Sequence, residues 1–531
     1  MTSTMPVTRR TTLGGAMGLL ALQAGLGRAQ AATPGGRMVF GRYADSLFLD
    51  PVLTDANVDI WVMTNIYDTL LLPTANGQGV QPGLATAHEI TDGGKTVTLT
   101  LREGVKFSDG APLTAEDVAW SLDRARDPKA GAWNSLLASI ERVEPAGGKV
   151  VLHLKNPDAT IIAALATFNT AILPKKAFEA MPGATMEDKA NAFGLKPIGT
   201  GPFVLVDWSR NSVMKLRRNP NYWRKTADGQ ALPLLDELEF QILPDDSTRL
   251  LKLKAGEIDG AEFIPYARVK ELQADPNLRM ELWPSTRVAY LTMNVRPMVG
   301  GAPNPLANVK VRQALNHAIN KDAVIAVTTL GLGKPMGSFM SSTTPLFSPS
   351  PLYPFDVAKA KALLAEAGMA GGFELTSLTL SGNQDNLTNL TLVQQMWAQI
   401  GVRLKIEQVD NATLTARYRA GTFQIRTAAW TDDIADPSEI TSYFAYFPNI
   451  ASLHSGWQDP RVDELYIASQ KEIDPAKRTA QYKEIQDTYN AAAPIVYLYE
   501  TPYPVAFRAK VKGFVQIPLG NNIFEMASVE K

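Results

Sequence analysis

The sequence predicts an α/β protein of more than one lobe, and three observations lead there. The chain runs to 531 residues, beyond the ~250 to 300 at which a single hydrophobic core stops growing. Period-2 strand patterns alternate along it with helical ones, in places helix directly followed by strand. With 45% hydrophobic and 20% charged residues the composition is that of an ordinary folded chain, able to fill a large core.

In chain order, the first readable segment is Arg9-Arg10, an apolar stretch to about Leu26, and then Arg28-Ala29-Gln30-Ala31. A basic start, a short apolar region and an A-x-A site predict a secretory signal at 1–31, cleaved after Ala31 and releasing the chain into the periplasm. The paired arginines resemble a twin-arginine signal, although Thr12 stands where a large apolar residue is common. The apolar region, roughly 14 residues and rich in Gly, is too short for the ~20 that span a bilayer. Removing 1–31 takes away Arg9, Arg10 and Arg28, leaving 49 basic against 53 acidic residues and a net charge of −4.

Val97, Leu99 and Leu101 alternate with Thr96, Thr98 and Thr100, the pattern of a half-buried strand. After the turn Ser108-Asp109-Gly110, Thr114 and Asp117 form a T-x-x-D capping box that opens a helix through about Ala125. Gly199 and Gly201 allow a tight bend before a strand at Phe203–Val206. Val311, Ala314, Leu315, Ala318 and Ile319 make one helical stripe, so Arg312 and His317 point elsewhere. Pro335–Phe355 is uncharged, with 12 Ser, Thr or Pro among its 21 residues, and reads as a long loop. Asp356 caps a helix that Gly368 stops, and a second helix from about Leu387 to Ile400 leads into the strand pattern Val402, Leu404, Ile406. Asp459-Pro460 and Asp474-Pro475 each place an N-cap before a proline whose missing N–H costs nothing there, starting helices at about 460–472 and 475–492.

Much chemistry is excluded. No Cys means no thiol nucleophile, disulfide, iron–sulfur cluster or cysteine-ligated zinc. The four histidines, His88, His153, His317 and His454, lie too far apart in sequence for H-E-x-x-H. Gly94-Lys95-Thr96 looks like the end of a P-loop, but Glu89 stands at the earlier glycine position. Gly331-Leu332-Gly333 is followed by Gly337, one residue too far for a dinucleotide motif. No G-x-S-x-G occurs. The acidic pairs Asp245-Asp246 and Asp432-Asp433 are of a kind common in loops. The near-zero net charge of −1 gives no field favouring nucleic acid. Export, several lobes and no catalytic constellation point to binding.

Seven blocks in order carry a resemblance: LREGVKFSDGAPLTAEDVAWSLDRA (101–125), PIGTGPFVLVDW (197–208), RNPNYW (218–223), LKLKAGEID (251–259), PLANVKVRQALNHAINKDAVI (305–325), AKALLAEAG (360–368) and AAWTDDIADP (428–437). The chain resembles the family 5 extracellular solute-binding proteins of ABC importers, a group of dipeptide, oligopeptide and nickel-chelate binders. The resemblance implies a class II periplasmic binding protein-like fold, two α/β lobes with an additional inserted domain. The first lobe would comprise 36–75, 196–285 and 500–531, the inserted domain 76–195 and the second lobe 286–499. Hinge strands would lie near Trp283–Tyr290 and Tyr497–Tyr503, closing the lobes over solute. It also implies a monomeric receptor, not an enzyme, with no cofactor and no metal, which delivers short peptides to a membrane permease. A non-peptide solute such as a nickel chelate, opine or oligosaccharide is the nearest alternative, and an exported hydrolase or a periplasmic chaperone the readings of another class.

Peptides share an α-ammonium, for which a buried carboxylate is the natural anchor. In peptide-binding members that anchor is an Asp three residues after a Trp, which the resemblance carries to Asp433, after Trp430-Thr431-Asp432. Trp430 would cover the ligand backbone. A loop or capping role for Asp433 and core packing for Trp430 are the alternatives. The arginine found three positions before that Trp in some oligopeptide binders is Thr427 here, and Arg426 is displaced by one residue, which on a strand moves it to the other face. Specificity for long oligopeptides is thereby disfavoured. Arg287 beside the expected hinge is a candidate for the ligand carboxylate, Asn383 for the ligand backbone, and Tyr43 near the end of the first strand for a further contact.

Overall fold

The computed structural model describes residues 35–54, 56–350 and 352–530, so the expected export signal lies outside the described residues. Two mixed sheets dominate. The larger has seven strands in the order Leu278–Trp283, Tyr503–Arg508, Gly260–Ala261, Arg37–Arg42, Glu237–Ile242, Val213–Arg218 and Phe203–Ser209. The other has six: Lys334–Pro335, Ile495–Glu500, Val288–Met293, Ile425–Trp430, Phe373–Leu380 and Val402–Val409. A four-stranded antiparallel sheet, built from Ala85–Thr91, Thr96–Leu101, Ile140–Ala146 and Lys149–Leu154, stands apart from both. Each sheet has its own buried apolar cluster, as a chain of this length requires.

The chain passes between the two large sheets twice, side by side. Leu278–Trp283 pairs antiparallel with Tyr503–Arg508 in the first, and Val288–Met293 pairs antiparallel with Ile495–Glu500 in the second. Only 284–287 and 501–502 lie between. These short segments are bound to each other: the Thr501 N–H donates to the Arg287 carbonyl at 3.2 Å, and the Ser285 hydroxyl to the Thr501 carbonyl. Two adjacent crossings let the lobes turn about one line, the geometry of hinge closure.

Locally coded elements form where their caps fall. Thr114 and Asp117 make the reciprocal capping box of the helix Ala115–Ala125. Asp356 accepts from the Lys359 N–H to start Val357–Glu366, and Asp459 and Asp474 cap Pro460–Lys471 and Pro475–Ala492. The helix Gln384–Ala398 is locked by Trp397, fully buried, whose indole N–H donates 3.0 Å to the Leu315 carbonyl of the neighbouring helix Val309–His317.

Three expectations change in meaning. Gly199 and Gly201 are small because the chain passes close by: a Cβ on either would come within 2.2 Å and 2.6 Å of the Ile66 backbone, whose carbonyl accepts the Gly201 N–H at 3.0 Å. Arg312 and His317 leave the apolar stripe but are buried. Arg312 donates to the carbonyls of Leu306, Ala307 and Ala492, while His317 Nδ1 lies 2.8 Å from the Pro354 carbonyl. The loop after Pro335 is no surface strap: Met336, Phe339 and Met340 are buried, with Phe339 stacked on Phe444 and against Tyr489. Its serines are held by the buried carboxylate of Glu500, which accepts from the Ser342 N–H and from the hydroxyls of Ser341 and Ser342. Three large apolar side chains thus outweigh a polar composition once that carboxylate satisfies the backbone.

Candidate functional site

The strand Ile425–Trp430 pairs with Val288–Met293 so that Trp430 lies opposite Val288, beside the crossing point. The chain then leaves the sheet as Thr431-Asp432-Asp433-Ile434-Ala435-Asp436-Pro437 and enters the helix Ser438–Phe444. This turn delivers a run of acids to the junction of the lobes.

Asp432 is fully buried and fully bonded. Its N–H donates to the Thr286 hydroxyl at 2.8 Å, and its carboxylate accepts from the Trp430 indole at 2.8 Å and the Thr344 hydroxyl at 2.6 Å. Asp433 is partly accessible. Its N–H donates 2.9 Å to Glu439 Oε2, and among the described residues no donor reaches its carboxylate. Glu439, 5% exposed, keeps Oε1 without a partner. Asp436 is ion-paired with Arg478 through both oxygens at 2.7 and 2.8 Å.

Asp432, Asp433 and Glu439 therefore form a group of three carboxylates that no described cation pairs with. Burial pushes the Asp432 carboxyl up to about 7, with the Thr344 and Trp430 hydrogen bonds opposing. Burial and then the Asp432 charge raise Asp433, and burial followed by the charges of Asp433 and Asp432 lifts Glu439 well above the usual carboxylate range. Such a group has two ways to lower its energy: to take up protons, or to receive a cation.

The opposite wall belongs to the seven-stranded lobe. Tyr43, one residue past the strand Arg37–Arg42, packs edge-on against Phe263 at 4.7 Å, and its N–H donates to Glu262. Burial and the Glu262 charge push its phenol up to about 12, while Arg42 and Arg287 oppose. Burial raises the phenols of Tyr266 and Tyr503, and the exposed Arg287 is among the charges that oppose it. Tyr503 is buried, with Thr431 next to its hydroxyl, and it feels Asp433 and Asp432 as well. Trp430 packs against Tyr443 and Phe444.

Of the residues singled out in the sequence, Asp433, Trp430, Arg287 and Tyr43 thus converge on one region. Asn383 is exposed, and its side-chain oxygen caps the helix Gln384–Ala398 by accepting the Asn386 N–H at 3.0 Å, while the charge of Asp385, two residues on, reaches Tyr266 as that of Arg287 does. Sequence reasoning missed Asp432 as a participant, Glu439 and Tyr503. The available signals were Glu439 in the first turn of the helix after the acidic run and Tyr503 at the end of the second crossing.

The loop that bears the acids also joins the domains. Ile434 packs into the apolar core of the four-stranded sheet, and Ala435 clusters with Ile517 and Leu519 of the first lobe. Further along the same seam, the Ala159 N–H donates to the Gln470 carbonyl at 2.7 Å.

The family model for bacterial extracellular solute-binding proteins, family 5, matches residues 79–452, more than half of the chain. The chain belongs to this family. The dipeptide-binding protein of Escherichia coli K12 is 30% identical over 479 residues, covering 85% of this chain and 86% of that protein. Among solved structures, the ABC transporter-associated periplasmic binding protein DppA from Helicobacter pylori, in complex with the peptide STSA, superposes with a TM-score of 0.77 at 28% identity. It covers 94% of this chain and 99% of that one. The binding protein AgaA from A.tumefacien R10, in complex with agropinic acid, gives 0.75 at 25% identity, covering 93% and 99%. As a family 5 protein the chain is a two-lobed solute-binding protein, and among its described residues no helix is long and apolar enough to cross a membrane.

The raised carboxyls make stability fall with pH in this family 5 chain. Between pH ~4 and ~7 the solute-free native state holds protons that the unfolded chain has released, so each step upward in that window costs native stability. Titrating the melting temperature of solute-free protein from pH 4.5 to 8 is expected to show a decline that Glu439→Gln makes shallower. An identical profile in the variant would remove the acidic group as its cause.

Proposed function

We propose that this protein is exported, cleaved after Ala31, and acts in the periplasm as a monomeric receptor that captures short peptides between its lobes. It then hands them unchanged to the membrane permease of an ABC importer. The observation that carries the reading is the group Asp432, Asp433 and Glu439, which pairs with no cation among the described residues and whose partly accessible member is Asp433. A peptide α-ammonium supplies the missing charge at Asp433, Trp430 lies along the peptide backbone, and Arg287 on the crossing segment receives the terminal carboxylate. Tyr43 and Tyr503 line the facing wall. A peptide zwitterion carries one charge for each of these two loci, an ammonium for the acids and a carboxylate for the guanidinium. Asn383, whose oxygen caps a helix, would contact the ligand backbone through its amide Nδ2. The lobes are read as 36–75 with 196–285 and 500–531, and 286–499, with 76–195 inserted between segments of the first.

Peptide relatives support the choice of solute: a dipeptide-binding protein and a structure in complex with a tetrapeptide both align over most of the chain. The relative that holds agropinic acid favours an opine as the second reading. Thermal unfolding of protein stripped of co-purified solute, with matched free-amine and N-acetyl peptides of two to five residues, separates the two. A ligand at ~100 times its dissociation constant adds about 2.7 kcal/mol to native stability. Stabilisation by free-amine peptides alone is expected. No stabilisation by any peptide would overturn the peptide reading.

The anchor also sets a pH dependence. The ammonium requires an ionised carboxylate, and acid protonates it, so affinity falls as pH drops from 7.5 to 5.5. The limit is about tenfold per pH unit for each proton displaced. Calorimetry at three pH values reads this, and a flat profile would exclude a titrating anchor.

A further inference from the structure

Between the first lobe and the inserted domain lies a second pocket that shares no lining residue with the acidic group. It is a cavity of about 250 Å³ where the end of the helix Asn57–Met63 and the residues after it, the segment 166–171, and the C-terminal residues 513–526 meet. Its walls are mostly apolar, with Leu72, Phe168, Ile517 and Ile523 among them.

One lining group stands out. Asp68 is 5% exposed, and both donors that reach it, the Thr200 hydroxyl and the Trp223 indole N–H at 2.9 Å each, bind the same oxygen, Oδ2. Among the described residues nothing donates to Oδ1, and no ion pair involves Asp68. The nearby charges are already committed. Arg224 donates to Glu525 Oε1 and the Tyr222 hydroxyl to Glu525 Oε2, both at 2.6 Å, so Glu525 is satisfied at both oxygens. Arg102 lies over the Trp223 ring at 4.2 Å. A carboxylate in an apolar wall, hydrogen-bonded only by neutral groups and with one oxygen toward the cavity, is the half-built anchor of an ion pair. Burial accordingly pushes the Asp68 carboxyl up to about 6.

We propose that this cavity is a second binding site, for a small primary-amine cation with an apolar body, the ammonium on Asp68 Oδ1 and the body against Leu72, Phe168 and Ile523. An apolar cavity of ~150 Å³ takes benzene, so this one admits on the order of ten non-hydrogen atoms, the size of phenethylammonium. The site is independent of the peptide reading.

Calorimetry with phenethylammonium chloride at pH 7.5 tests it on the whole mature protein. One equivalent is expected to bind, with phenethyl alcohol failing to compete. Asp68→Asn, whose amide oxygen can still accept from Thr200 and Trp223, should weaken the amine at least tenfold. Ala75→Trp, at an exposed lining position, should block entry, and it decides the matter if Asp68→Asn does not fold. Asp433→Asn should leave the amine's affinity unchanged. No binding by the wild type, or binding that survives both Asp68→Asn and Ala75→Trp, would overturn the proposal. Loss in Asp433→Asn with retention in Asp68→Asn would also overturn it, by assigning the amine to the cleft.

Discussion

Asp433→Asn is expected to cost at least ~30-fold in affinity for a free-amine dipeptide while making the solute-free protein more stable at pH 8. The two effects share one cause. Truncating one partner of a buried, hydrogen-bonded charge pair costs about 2–5 kcal/mol of binding, and Asp433 is the carboxylate of its group that no described donor satisfies. Without solute the same carboxylate is a liability. Burial and the neighbouring Asp432 raise it, so holding it ionised at pH 8 opposes folding. The sign follows directly: a carboxyl raised in the native state withdraws stability above its native pKa, and an amide, which does not ionise, restores it. A gain on the order of 1–3 kcal/mol is the scale for removing an uncompensated buried polar charge. Calorimetric titration and thermal unfolding of one preparation read both. Full affinity in the variant would exclude Asp433 as the anchor, and lost affinity with lower stability would mark it as a structural residue instead.

Arg478→Ala is expected to destabilise the protein by about 3–5 kcal/mol, the usual consequence of removing one side of a buried ion pair. Asp436 and Arg478 are 7% and 12% exposed and joined through two hydrogen bonds. Arg478 also donates to the Ser469 carbonyl at 3.0 Å. Asp436 lies three residues after Asp433, so the pair fastens the acid-bearing loop to the helix Pro475–Ala492. Peptide affinity should fall too, though Arg478 lies outside the proposed contacts, because the loop loses its outer support. Denaturant unfolding followed by tryptophan fluorescence measures the first effect. Adding Asp436→Asn should recover part of it, since the stranded charge is then gone. A loss below ~1 kcal/mol would show that the pair is solvated and does not hold the loop.

The parts of this chain that could be read without coordinates are those whose causes are local. A capping box needs residues three apart, so Thr114 with Asp117 announced its helix; Asp459-Pro460 and Asp474-Pro475 did the same. The resemblance pointed to Asp433, three residues after Trp430, and the expected hinge pointed to Arg287, and both enter the proposed site. Asn383 shows where local reading runs out: its carboxamide suits a peptide backbone and a helix N-terminus alike, and only the folded chain shows its oxygen on the Asn386 N–H.

Glu439 and Tyr503 were beyond local reasoning. Their roles come from a sum of charges that depends on which distant residues share a low-dielectric space. The same holds for Asp68, unremarkable in sequence until Thr200, Trp223 and the C-terminal segment close around it. By itself the sequence determined the α/β class, the family and the positions of the capped helices, because periodicity and capping act over a few residues. Tertiary structure decided which carboxylates are left without a cation, since desolvation and pairing are properties of the folded neighbourhood and have no short-range code.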